Sequence, residues 1–386
     1  MHNQSNENEA NPSDTQMWNG HGVFSSRQIE RLIRKGFVAS TPAVEARQVQ
    51  PASLDLRLGN IAYRVRASFL SGPDVCVRDK LRELCLYEIS LSNAAVLDVG
   101  STYIIPLVEA FRLPAGVSAT ANPKSSSGRL NVFTRMIIDR GQAFDTMPSG
   151  YHGSAYLEVS PRSFPVLVRQ GSCLNQIRFH QGDHLFSDME LISLHRDDPL
   201  VDTDTAEFSG GLRISIDLKA SWSDRKDDNI IGYRARRYTN LIDIDAVNSL
   251  DIIDFWEPIS LNGQETSLLL DPAEFYILVS REGLRIPPLC AAEMLPFDHC
   301  MGEFRVHYAG FFDPGFGYTK SGDNPVGARA VLEVSSRDVP FILNHRQTVA
   351  RLVFSKMQRQ PQRLYGESLG SHYQWQGLKL SKHFRM

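Results

Sequence analysis

Long apolar runs are missing from this chain. No stretch of about eighteen apolar residues occurs, so a membrane span is not expected. Neither sign of charge dominates. There are 41 Lys and Arg against 44 Asp and Glu, a net charge of -3. No global field therefore draws nucleic acid polymers or acidic membranes, and any phosphate binding must come from a local cluster. Paired cysteines are also missing. Cys76, Cys85, Cys173, Cys290 and Cys300 form no Cys-x-x-Cys unit. An odd set without such spacing argues against a disulfide framework and against zinc, and suggests free thiols in a reducing cytoplasm. The opening MHNQSNENEANPSDTQ has no basic or apolar signal region, so secretion is not expected. Residues 1–20 read as a polar, disordered tail.

What is present is one stretch written twice. Residues 155–179 read AYLEVSPRSFPVLVRQGSCLNQIRF, and residues 330–354 read AVLEVSSRDVPFILNHRQTVARLVF. They align without a gap. Ala155, Leu157 and Val159 alternate with Tyr156 and Glu158; Ala330, Leu332 and Val334 alternate with Val331 and Glu333. A period of two is a strand.

The repeat extends beyond these strands. Ile61-Ala-Tyr-Arg-Val-Arg66 returns as Ile231-Gly-Tyr-Arg-Ala-Arg236, and Tyr103 with Leu113-Pro114 returns as Tyr276 with Ile286-Pro287. Three landmarks in one order indicate two divergent copies of one β-rich domain. The first copy opens with a short helix, FSSRQIERLIRKG. Ser25 or Ser26 caps it, Ile29, Leu32 and Ile33 form its apolar stripe, and Gly36 stops it. Short strands between Gly, Pro and Ser turns follow, which favours a sandwich or barrel-like unit. The expected domains are 21–190 and 212–386. They are joined by a polar, acidic connection at 191–211, and the second copy has no obvious counterpart of the first helix.

The copies differ where chemistry is legible. Only the first holds Asn122–Leu130, NPKSSSGRL. A bend after Pro123 with Lys124, Ser125, Ser126, Ser127 and Arg129 makes a donor-rich concavity suited to polyphosphate; the alternative is a solvated polar turn. Only the second holds AGFFDPGF around Ala309 and Asp313. That is a strand entering a tight hairpin, either an ordinary turn or one whose backbone reads a base edge. Glu158 and Glu333 are likewise solvated strand carboxylates or functional ones.

Together these landmarks resemble the dCTP deaminase family of the dUTPase-like fold. FSSRQIERLIRKG and SLDLRLGN are similar to its opening helix and strand, PKSSSGR to its phosphate loop, AGFFDPGF to its nucleoside hairpin, and the Leu-Glu-Val strands to the one bearing its catalytic Glu. The segment YGESLGSHYQWQG, with Tyr365, His372 and Gln376, is similar to its closing tail. His372 stands where the family has Lys, and Phe311 where many members have Arg. Neither half holds a full set. The resemblance thus implies a mainly β chain of two tandem dUTPase-like, β-clip or jelly-roll-type domains with a few short helices. It also implies a composite site: Ser125, Ser126 and Arg129 from the first half, Asp313, Glu333 and the tail from the second, with Glu158 a relic or part of a degenerate second site.

The activity so implied is hydrolysis of dCTP to dUTP and ammonia, with a Glu as general acid/base. Mg2+ would ride on the triphosphate. The His-x-Glu and Pro-Cys-x-x-Cys signature of zinc deaminases is absent from the sequence. Two alternatives stand beside this activity: a dUTPase or bifunctional deaminase/dUTPase, in which Asp313 positions water, and an inactive nucleotide-binding regulatory protein. A trimer-type homo-oligomer is the assembly implied.

Overall fold

The computed structural model describes residues 20–203, 205–221, 229–261, 265–296, 304–307, 310–319, 326–336, 338–367 and 371–385. The chain is mainly β, in two halves of like topology. In the first half, Gly22–Val23, Leu54–Leu56, Val117–Pro123, Thr146–Met147 and Asn175–Gln181 form one sheet. A second sheet is built on Ile61–Val65, Thr102–Arg112, Val132–Ile138 and His152–Pro161. The second half repeats both, with Leu212–Ser215, Cys290–Pro296, Phe311–Phe312 and Thr348–Lys356 in one and Ile230–Ala235, Phe275–Leu284, Phe304–His307 and Ala328–Ser336 in the other.

The alternation read from sequence decides which faces are apolar. Ala155, Leu157 and Val159 are buried in the main core of the first half, and Ala330, Leu332 and Val334 in that of the second. The opposite face of the first Glu strand carries Tyr156 into a small third cluster with Val77, Leu81 and Leu84 of the helix Val77–Leu84.

Ser26–Arg34 forms the first helix. The Gln28 side chain accepts from the Ser25 N–H at 3.0 Å, Ile29 and Leu32 are buried, and Gly36 follows at φ +75°. The second half does have its counterpart, contrary to expectation. Asp188–Asp197 is a helix that straddles the expected domain end at 190 and runs into the stretch read as a connection. Ser187 Oγ accepts from the Glu190 N–H at 3.3 Å, and Glu190 Oε2 accepts from the Ser187 N–H at 2.8 Å. This reciprocal cap starts the helix despite its acidic composition. Only Leu191 is buried, so its apolar stripe is too thin to read as periodic.

The halves share a core. Trp256, Phe275, Ile277, Leu380 and Phe384 of the second half belong to the first half's cluster. Trp256 meets Phe164 edge-on at 5.3 Å and Phe384 at 6.1 Å between ring centroids. Ile242–Asp243 adds a parallel strand to Val166–Val168 of the first half. The seam is thus sealed by apolar burial and main-chain pairing, which fixes the two halves of the site relative to each other.

Candidate active site

At this seam lies a cavity of about 790 Å3. The strand Val117–Pro123 delivers the serine loop to it. Lys124 caps a single helical turn, Ser125–Gly128. That turn uses the N–H groups of Ser127, Gly128 and Arg129 internally, so fewer backbone donors stay free than the sequence reading of a bend supposed. Lys124, Ser125, Ser126 and Arg129 line the cavity. Ser127 is buried and does not. From the second half come Asp313, Glu333, Tyr365, His372 and Gln376. Ala309 lies outside the described residues.

Glu333 faces the serine turn. A Cβ at Gly128 would fall 2.5 Å from Glu333 Oε2 and 2.7 Å from Oε1, so only a residue without a side chain lets the turn approach. Burial pushes the Glu333 carboxyl well above the usual carboxylate range, and the Arg129 charge opposes this.

Glu158 has a different setting. It lies outside the cavity, and its Oε1 accepts from Arg135 Nη2 at 2.7 Å and Nε at 3.1 Å. Arg135 pairs across the strand with Glu158, and His307 with Glu333. The duplicated carboxylate has therefore acquired a guanidinium clamp in one copy.

Arg129 is held by the tail. Its Nη1 donates to Lys379 O at 2.7 Å and its Nη2 to Gln376 Oε1 at 2.9 Å, with the guanidinium 3.8 Å from the Tyr373 ring centroid. Gln376 also donates to Arg329 O at 2.9 Å. Tyr365, His372, Tyr373 and Gln376 of the tail thus line the cavity, and Tyr365 docks by its N–H on Pro314 O at 2.8 Å.

Asp313 is ion-paired with Arg178, 3.0 Å from Nη2. Arg178, from a first-half strand, also donates to Ala292 O at 3.0 Å and stacks 3.9 Å from the Phe311 ring centroid. Burial raises the Asp313 carboxyl despite this partner.

Several lining residues escaped sequence reading. Asp55 pairs with Lys124; burial is the largest influence and lowers the Lys124 ammonium, but Asp55 together with Cys173 and Tyr373 turns the net shift upward. Asp55 was visible as a polar position in SLDLRLGN. The contacts of Tyr373 and Lys382 in the lining, and of Arg178 behind it, have no local signature. Burial pushes the lining thiol of Cys173 up to about 12, so it is no ready nucleophile. Among the described residues no group of three or more His, Cys, Asp or Glu side chains comes together to hold a metal.

Two family models match the chain, the 2'-deoxycytidine 5'-triphosphate deaminase N-terminal domain over residues 20–183 and its C-terminal domain over 187–384. The chain belongs to the dCTP deaminase family. A solved member of the family, the 2'-deoxycytidine 5'-triphosphate deaminase from Agrobacterium tumefaciens, is 50% identical with a TM-score of 0.83. The match covers 89% of this chain and 100% of that one. Shorter family members match about two-fifths of the chain. The "dCTP deaminase, dUMP-forming" of Dictyoglomus thermophilum is 27% identical over 41% of this chain and 80% of its own length. The "dCTP deaminase" of Histophilus somni is 28% identical over 39% and 79%. No helix among the described residues is long and apolar enough to cross a membrane.

Proposed function

We propose that this family member hydrolyses dCTP to dUTP and ammonia at the seam site, with Glu333 as proton shuttle. One observation carries the reading. The only Glu of the repeated pair without an arginine across the strand is the one packed on Gly128 of the serine loop.

The triphosphate lies along Lys124, Ser125 and Ser126 and brings its Mg2+ with it. The base reaches into the seam toward Glu333 and the Phe311–Asp313 hairpin. Water adds to C4 as Glu333 takes its proton. That proton passes to N3 of the base; Glu333 then takes the proton of the new C4 hydroxyl and gives it to the amino group, and the C4–N bond breaks to release ammonia as the C4 carbonyl forms. A carboxyl raised by burial holds and returns a proton more readily than an ordinary one. Arg129, already ordered by Gln376 and Tyr373, offsets negative charge as the intermediate forms. Free thiols among the described cysteines suit a reducing cytoplasm.

The dUMP-forming relatives favour a second reading, in which dUTP is cleaved further to dUMP and pyrophosphate. The Arg178 partner of Asp313 weighs against Asp313 as the group that positions that water. Incubation with Mg2+ and dCTP separates the readings. Ammonia with dUTP supports the first, and ammonia with dUMP the second. Pyrophosphate from dUTP without ammonia would leave a dUTPase, and tight binding without turnover would leave a regulatory protein.

A further inference from the structure

Past the closing segment, the chain does something its sequence does not announce. Leu380, Ser381, His383 and Phe384 are all buried. Ser381 Oγ donates to Ser126 O at 2.8 Å and lies 2.9 Å from His383 Nδ1, while His383 Nε2 is 2.9 Å from Ile244 O. The Lys382 N–H donates to Tyr373 Oη at 3.1 Å. Both neighbours of Lys382 are thus anchored, one of them directly to the serine loop, and the half-buried Lys382 lines the cavity.

Four other cations of this cavity are already paired. Arg47, Arg57, Lys124 and Arg169 each face a carboxylate, from Glu45, Glu109, Asp55 and Asp243 respectively. Arg129 keeps its charge but is held in place by the tail. Lys382 makes no ion pair among the described residues; it feels Asp245 and Asp55 only weakly against burial and the Lys124 charge. A half-desolvated ammonium beside a second ammonium is unfavourable in the empty protein. It becomes favourable once an anion of high charge sits between them.

We infer that Lys382 is a further substrate-binding residue, a cation of the tail that holds the polyphosphate of the nucleotide together with Lys124 of the serine loop. The inference rests on the functional reading above and deepens it. His372, exposed at the cavity mouth, carries a charge only when protonated. Lys382 supplies an ammonium in place of the imidazole and, being pinned through Ser381, is in place before the ligand arrives.

Three measurements on the full chain test this: steady-state deamination of dCTP, inhibition by inorganic tripolyphosphate, and thermal unfolding without ligand. Lys382→Met is expected to raise the KM for dCTP about ten-fold or more, with a much smaller change in kcat. It should weaken tripolyphosphate inhibition in parallel. The ligand-free melting temperature should hold or rise, because an unfavourable charge has gone; Lys382→Arg should restore most of the KM. An unchanged KM, a fall in kcat alone, or no rescue by Arg overturns the assignment. If Lys382→Met does not fold, Lys382→Gln and Lys382→Arg carry the same comparison. A wild-type protein that releases no ammonia overturns the functional reading itself, whereas turnover indifferent to Lys382 overturns only this inference.

Discussion

Gly128 of the first half and Glu333 of the second are in contact across the seam, so close that a methyl group on the glycine would lie within 2.8 Å of the whole Glu333 carboxylate. A loop present only in the first copy and the glutamate strand of the second thereby make one site. Gly128 sits in a helical turn, a conformation alanine adopts readily. Gly128→Ala should therefore fold, at an overpacking cost of about 1–3 kcal/mol, while pushing the carboxylate out of place. Displacement of a reacting group by about 1 Å costs on the order of a hundred-fold in rate. A loss of that order in kcat, with a native circular dichroism spectrum, is the expected result.

The raised Glu333 carboxyl has consequences for pH. Its folded value lies above the ordinary 4.5, so the native state binds this proton more tightly than the unfolded chain. The resulting stability is fully present below about pH 4.5 and is lost as pH rises through the folded value. Glu333→Gln removes the cost of ionising a buried carboxyl. The variant should melt higher than wild type under alkaline conditions, and the difference should shrink as the pH falls. Wild-type kcat/KM should rise with pH over the same interval, because the base form takes the water proton. Melting and rate profiles that share no transition would separate Glu333 from the chemistry.

Arg178 and Asp313 form a buried pair, with side chains 4% and 9% exposed. Burial works against the charge of both partners. Breaking such a pair from one side leaves an uncompensated charge and costs about 3–5 kcal/mol. Arg178→Met should lower stability by that order and weaken dCTP binding, since Arg178 also holds the backbone of the hairpin at Phe312 O and its partner strand at Ala292 O. Adding Asp313→Asn should recover much of the stability. A double variant no more stable than the single one would mean that the hairpin is held by other contacts.

Much of this was legible because it is local. The period of two placed Leu157 and Leu332 in their cores and set Glu158 and Glu333 on the opposite face. The first helix announced itself through Ser25, Ile29, Leu32 and Gly36. The serine loop and the hairpin each stood out against the other copy. The helix Asp188–Asp197 was missed because one buried leucine makes no stripe, although its Ser187–Glu190 cap was in the text. The relation of Asp55 to Lys124, of Tyr373 to Arg129 and of Ser381 to Ser126 was not legible. Each joins residues far apart in sequence, and burial at the seam, not propensity, brings them together. Ser127 is the converse case: by composition it matches Ser125 and Ser126, yet one helical turn points it inward.

The repeated glutamates give the sharpest comparison. Single-turnover deamination of dCTP, followed as ammonia released, can be measured for Glu333→Gln and Glu158→Gln side by side. Glu333→Gln is expected to lose turnover by at least about a hundred-fold while still binding dCTP, since removal of a general acid/base alone costs about a hundred- to ten-thousand-fold. Glu158→Gln should keep turnover and lose only stability, through its contact with Arg135. Full activity in Glu333→Gln, with loss in Glu158→Gln, would contradict the account and move the chemistry into the first half.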